Sequence, residues 1–197
     1  MPNKPIFIRS TVKASHLVLT GYGHWLPNDP RGSGSAKIRK LRLEMLGPIY
    51  FGRKKHQPAR ADLKAFHWEA GRMLAHPVIW FDGARRDAIA KGIELAVSAA
   101  GHTVWACAVL TNHLHLVVRT HRDDSIAMLA RIAQSTYEEL HARKLVPVEH
   151  PIWSERPYKV FLKTAQQVKG RIDYVEKNPI KEGLAPQFWG FVQECEL

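Results

Sequence analysis

Cysteine is scarce in this chain of 197 residues: Cys107 and Cys195 are the only two. Two thiols cannot build a disulfide framework or a four-thiolate zinc site, so both are expected to be reduced, in a cytoplasmic setting. Long apolar runs are missing as well. The longest, over residues 104–110, is strand-sized and falls far short of the about 18 residues that read as a membrane-spanning helix. The opening Met1-Pro2-Asn3-Lys4-Pro5 has no apolar centre of the signal-peptide kind. Repeats and low-complexity tracts are absent. Acidic residues are in deficit, with 18 Asp and Glu against 29 Lys and Arg, a net charge of +11. Together these absences speak against transmembrane, secreted and disordered readings. The 45% apolar and 24% charged content is that of a globular protein long enough to bury a core in one domain, 1–197. The basic excess favours a polyanionic partner, most often nucleic acid.

The excess is concentrated. Residues 31–64 hold ten basic side chains against Glu44 and Asp62, a local charge of +8. They include Arg31, Lys37, Arg39, Lys40, Arg42, Arg53, Lys54 and Lys55. A turn-rich stretch, Pro27-Asn-Asp-Pro-Arg-Gly-Ser-Gly-Ser35, introduces them. Residues 27–64 therefore read as a basic loop or arm inserted after the first strand. Such an arm is either a solvated loop or a set of phosphate contacts.

The remainder has an α+β rhythm. Residues 16–20 predict a strand, and helical spacing of apolar residues predicts helices over 63–74, from Asp82 to Gly101, from an N-cap at Ser125 to about 143, and over 164–178, the last ended by Pro179. Residues 104–110 and 113–118 predict two strands, or one strand broken at Thr111-Asn112. A connection this short implies antiparallel pairing, so the expected fold is a central antiparallel sheet flanked by helices.

Three groups of residues can carry chemistry. His113 and His115 flank Leu114 on a strand, where alternate residues share a face. Two imidazoles so placed can converge on one divalent cation, or can simply be exposed strand residues. On the last helix Tyr174 lies off the apolar stripe of Ala165, Val168, Ile172 and Val175, and shares a face with Gln167, Gly170, Arg171 and Asn178. Gly170 leaves room there for a backbone or a phosphate. Finally, Trp153, Glu155, Arg156, Tyr158, Lys159 and Lys163 interleave aromatics with charge, a mixture suited to stacking on unpaired bases and pairing with phosphates, or to a core edge with charged flanks.

The blocks Val109-Leu-Thr-Asn-His-Leu-His-Leu-Val-Val118, Trp153-Ser-Glu-Arg-Pro-Tyr158 and Arg171-Ile-Asp-Tyr-Val-Glu-Lys-Asn-Pro-Ile-Lys-Glu-Gly183 occur in this order. The chain thereby resembles the single-tyrosine HUH transposases of small bacterial insertion sequences, and most nearly the REP-associated tyrosine transposases. The resemblance covers residues 82–191 and takes in the first strand. It does not explain the basic segment, and Thr111 stands where that family often has proline. It implies a ferredoxin-like HUH sheet, with His113, His115 and Asn178 as ligands of Mg²⁺ or Mn²⁺ and Tyr174 as nucleophile. Tyr137 and Tyr158 are the rival tyrosines. The implied reaction cleaves and rejoins single-stranded DNA next to a hairpin, such as a REP-like or insertion-sequence end, through a 5′-phosphotyrosine intermediate. The implied place is the cytoplasm, with the nucleoid; monomer and homodimer both remain open. The other readings are a domesticated hairpin-binding protein, a metal-dependent nuclease releasing free ends, and an RNA-binding protein.

Overall fold

The computed structural model describes residues 12–37, 41–120, 125–155 and 157–197. Arg39, Lys40 and Arg156 lie outside the described residues. The elements run β1 (Ala14–Thr20), a 3-10 helix (Leu41–Leu46), α1 (Arg60–Met73), α2 (Gly83–Ala99), β2 (Val104–Val109), β3 (His113–Arg119), α3 (Ser125–Ala142), β4 (Tyr158–Leu162) and α4 (Ala165–Lys181). Four antiparallel strands form one sheet in the order β2-β3-β1-β4. The fold is α+β, with helices on both faces of that sheet.

The alternation of side chains divides the sheet into two faces. Leu17, Leu19, Leu114, Leu116 and Val118 point to one, where they build the main core with Ile89 and Ile93 of α2 and Leu129 and Ile132 of α3. Gly92 lets those two helices touch, since a Cβ there would stand 2.6 Å from the Thr136 Cα. Ala14, Ala106, Ala108, Val117 and Leu162 point to the other face, where Val168 and Val175 of α4 cover them. The register sets Val18 opposite His115, Thr20 opposite His113 and His16 opposite Val117, so all three histidines share the α4 face.

Local chemistry explains the ends. Asp82 caps α2 by accepting from the Arg85 N–H, and Gly101 follows its end in a left-handed conformation (φ 65°). Thr164 and Gln167 form a reciprocal capping box at the start of α4. Residues 110–113 close a tight hairpin through Leu110 N–H to His113 O (2.8 Å), which settles the choice between one strand and two. β2 would be an edge, but residues 187–193 cover it. The Gln187 amide pairs with both backbone groups of Val109 (2.8 and 2.7 Å), and the Gln193 N–H donates to Val104 O (2.8 Å).

Several boundaries differ from expectation. β1 begins at Ala14 and α1 at Arg60. Ser125 is the first residue of α3 rather than its cap, and its hydroxyl takes a hydrogen bond from the Lys159 amine (2.7 Å). The aromatic and basic stretch that begins at Trp153 contributes a fourth strand, Tyr158–Leu162. Pro179 does not end α4. The helix continues to Lys181 and stops at Gly183 (φ 73°), where Leu184 N–H bonds to Pro179 O and Gly183 N–H to Ile180 O. Proline in the last turn forfeits one hydrogen bond, and this double closure at glycine compensates. Asn178 consequently lies inside the helix, a full turn after Tyr174.

The basic segment is anchored rather than trailing. Leu26, Leu43, Phe66 and Ala70 form a small separate core between it and α1. Buried Asp29 receives Arg31 through Nε and Nη2 (2.8 and 2.6 Å), and the Asn28 amide donates to the Leu43 and Gly47 carbonyls.

Candidate functional site

The hairpin and α4 bring the central residues together. Nε2 of His113 and Nε2 of His115 stand 3.0 Å apart. Nδ1 of His113 meets the Asn112 side-chain oxygen at 2.6 Å, and since oxygen only accepts, the proton sits on Nδ1 and leaves Nε2 with a lone pair. Nδ1 of His115 faces Nε2 of His16 at 2.9 Å, and these two rings stack with centroids 5.1 Å apart. Tyr174 packs edge-on against His115 (5.7 Å between centroids) and His16 (6.4 Å). It remains 38% exposed, open to a ligand. The Arg171 guanidinium (5.3 Å) and the Lys181 amine (5.1 Å) lie over its ring. Asn178, on the same helix face, is buried.

The electrostatics keep the imidazoles neutral. Burial lowers His113 to about 4, with the neighbouring His24 adding to the effect. Burial lowers His16 to about 4, helped by the Arg171 charge. His115 is pushed lower still by burial, His113, His16 and Arg171. Neutral imidazole is the metal-binding form.

The donor set fits a divalent cation. Two nitrogens 3.0 Å apart have the spacing of a hydrogen bond and are close enough that one cation would be held by both. If His115 turns the Nε2 lone pair toward a cation, its proton moves to Nδ1 and is donated to His16. His16 then carries its own proton on Nδ1, a buried atom with no partner among the described residues. Among the described residues no group of three or more His, Cys, Asp or Glu side chains is placed to hold a metal alone. To hold a cation, the two imidazoles would need oxygen donors beside them.

The other candidates scatter. Tyr158 lies opposite Val18, which in turn lies opposite His115. It is thus two strands from the imidazoles, about 10 Å away. Tyr137 packs against the main core. Trp153, read as either a base-stacking residue or a core edge, takes the second role rather than the first: its ring packs on Phe81 (5.2 Å) and its N–H donates to Thr136 Oγ1 (2.9 Å), so it braces the loop before β4. Lys159 spends its amine on Ser125 on the opposite face, and Arg31 spends its fork on Asp29. Lys37, Arg42, Arg53 and Lys55 are exposed and Lys54 is half-buried, its amine 5.2 Å above the Tyr50 ring. Arg171 lines an open groove of about 400 Å³ with Gly170, Gln167 and Tyr174, between β4 and α4. A Cβ on Gly170 would meet nothing within 4 Å, which leaves the helix backbone approachable.

His16 is the residue that sequence reasoning left without a role. Its contribution depends on the pairing of β1 with β3, and no spacing along the chain encodes that register.

No protein-family model and no curated protein matches the chain. Among solved structures, a REP-associated tyrosine transposase bound to a REP hairpin aligns with a TM-score of 0.48 and 13% identity, over 94% of this chain and 76% of that one. A proposed transposase from Deinococcus radiodurans R1 aligns with a TM-score of 0.40 and 10% identity, over 90% of this chain and 97% of that one. No helix among the described residues is long and apolar enough to cross a membrane.

Proposed function

We propose that this protein is a transposase-like enzyme that cleaves and rejoins single-stranded DNA beside a hairpin, with Tyr174 as nucleophile. The observation that carries the reading is the packing of a part-exposed tyrosine against a converging pair of neutral imidazoles, 5.7 Å between the Tyr174 and His115 rings. The ordered motif blocks that resemble the single-tyrosine HUH transposases support it independently.

His113, His115 and the Asn178 amide would hold Mg²⁺ or Mn²⁺, which when bound polarises the scissile phosphate and offsets its charge. Asn112 and His16 each engage the far nitrogen of one imidazole and so fix how the ring presents Nε2. Arg171 and Lys181 set positive charge on the open side of Tyr174, where a phosphodiester must approach. The Tyr174 oxygen attacks phosphorus and loses its proton to solvent. The bond from phosphorus to the 3′ oxygen breaks, and that oxygen takes up a proton. A 5′-phosphotyrosine link and a free 3′-hydroxyl result. One ester replaces another of similar energy, so the reverse step rejoins a strand without ATP.

The test is mass spectrometry of protein incubated with Mn²⁺ and oligonucleotides that carry a hairpin and single-stranded flanks. A nucleotide adduct on the peptide containing Tyr174 is expected. Cleavage that leaves only free 5′-phosphates would instead make the protein a nuclease. Tight hairpin binding without cleavage would make it a binding module.

A further inference from the structure

We propose that the exposed indoles of Trp80, packed on the His24 ring, and of Trp25, the residue after His24, form a stacking site for an unpaired nucleobase of the single strand at the His113 end of the site. The inference rests on the proposed function in taking single-stranded DNA as the ligand.

Its position follows from the chain. β1 ends at Thr20, opposite His113, and the Gly21 N–H donates to Asn112 O (2.8 Å). Residues 22–25 therefore turn away directly beside the imidazole pair. His24 is buried there, its Nε2 donating to Ile79 O (2.8 Å). Trp80 meets the His24 ring at 4.5 Å between centroids.

Both indoles are held outward. Ile79 and Phe81 are buried on either side of Trp80, and their N–H groups bond to Tyr22 O (3.1 Å) and Thr111 O (2.7 Å). Alternation leaves Trp80 56% exposed on a fixed backbone. Trp25 is 44% exposed and holds a left-handed φ of 49°, a costly conformation for a bulky residue. The Arg31 guanidinium lies 3.9 Å from the centre of its ring, clamped in turn by buried Asp29. Strained backbone, a stacked cation and a buried anchor all serve to display a ring the core does not use.

Charge selects the occupant. Trp25 stands six residues before the segment 31–64, which carries +8 and attracts a polyanion. Aromatic rings interleaved with positive charge bind unpaired bases with little regard to sequence.

The test compares three fluorescein-labelled probes at one salt concentration: (dT)20, (rU)20 and an abasic strand with the same number of phosphates. Wild-type protein should bind (dT)20 at least fivefold more tightly than the abasic strand. Trp25→Ala and Trp80→Ala should remove that preference while leaving abasic affinity and the salt dependence unchanged. Trp25→Phe and Trp80→Phe should retain part of it, and Trp68→Ala, on α1, all of it. Equal binding of (dT)20 and abasic strand by the wild type overturns the site, as does undiminished preference in both alanine variants, or equal loss in Trp68→Ala. A tenfold preference for (rU)20 over (dT)20 overturns the assignment to DNA. A missing Tyr174 adduct would refute the proposed cleavage without altering any of these binding ratios.

Discussion

The two faces of the sheet are built from the same strands, yet they are used differently. On the α2 and α3 side, Leu17 and Leu19 of β1 and Leu114, Leu116 and Val118 of β3 are covered. On the α4 side the intervening positions include His16, His113 and His115, set among the small residues Ala106 and Ala108 and against Tyr174. The first face supplies stability. That surplus lets the second hold two buried imidazoles, a half-buried third and an orphaned Nδ1. Adjacent residues of β3 therefore answer to different demands.

The largest test of this division is Tyr174→Phe, which should abolish the covalent DNA adduct altogether while Tyr158→Phe only weakens it, read by denaturing gel. An adduct on the Tyr174→Phe protein would move the chemistry elsewhere. Next come the neighbours His113 and Leu114. His113→Ala should cut metal-dependent cleavage by at least about a hundredfold and leave hairpin affinity and thermal midpoint nearly unchanged. Leu114→Ala should cost about 2–5 kcal/mol in stability through the cavity it opens. If both variants lose stability alike in denaturant melts, the faces are not functionally distinct.

Acid should attack the histidine face first. The folded values of His16 and His113 lie near 4, below the ordinary value of 6.5. Between those limits the unfolded chain binds protons that the folded chain refuses, so stability is intact above about 6.5 and drains as pH falls toward 4. A calorimetric midpoint roughly 5 °C lower at pH 5 than at pH 7 is expected, and His16→Gln should flatten that slope. The smallest effects concern two helical glycines. Gly92→Ala, against the Thr136 backbone, should cost about 1–3 kcal/mol. Gly170→Ala, which meets nothing, should gain up to about 1 kcal/mol. If the groove beside Tyr174 admits DNA, the same change slows cleavage even as the midpoint rises.

Much of this was legible in the residues. Strand-like apolar runs and period-3.6 patterns located β1, β2, β3 and the four α-helices, but not β4, and the spacing of His113, His115, Tyr174 and Asn178 marked one face of β3 and one face of α4. What stayed hidden was non-local. Pairing of β1 with β3 decides that His16 meets His115. Trp153 reads as a free aromatic until Thr136 and Phe81, from other elements, take its N–H and its ring. Pro179 reads as a terminator because its own missing N–H is visible in sequence, whereas the closure at Gly183 that tolerates it is a geometry of six residues. The basic segment looks like open loop because Asp29, its buried anchor, is one acidic residue among many basic ones.

The tail that runs along β2 has a mechanical consequence. Gln187 and Gln193 occupy the backbone groups at the two ends of that strand. A protein shortened before residue 187 would bare a ladder of unmatched amides and carbonyls beside wholly apolar side chains, and chains so cut would be drawn to zip together into insoluble ribbons.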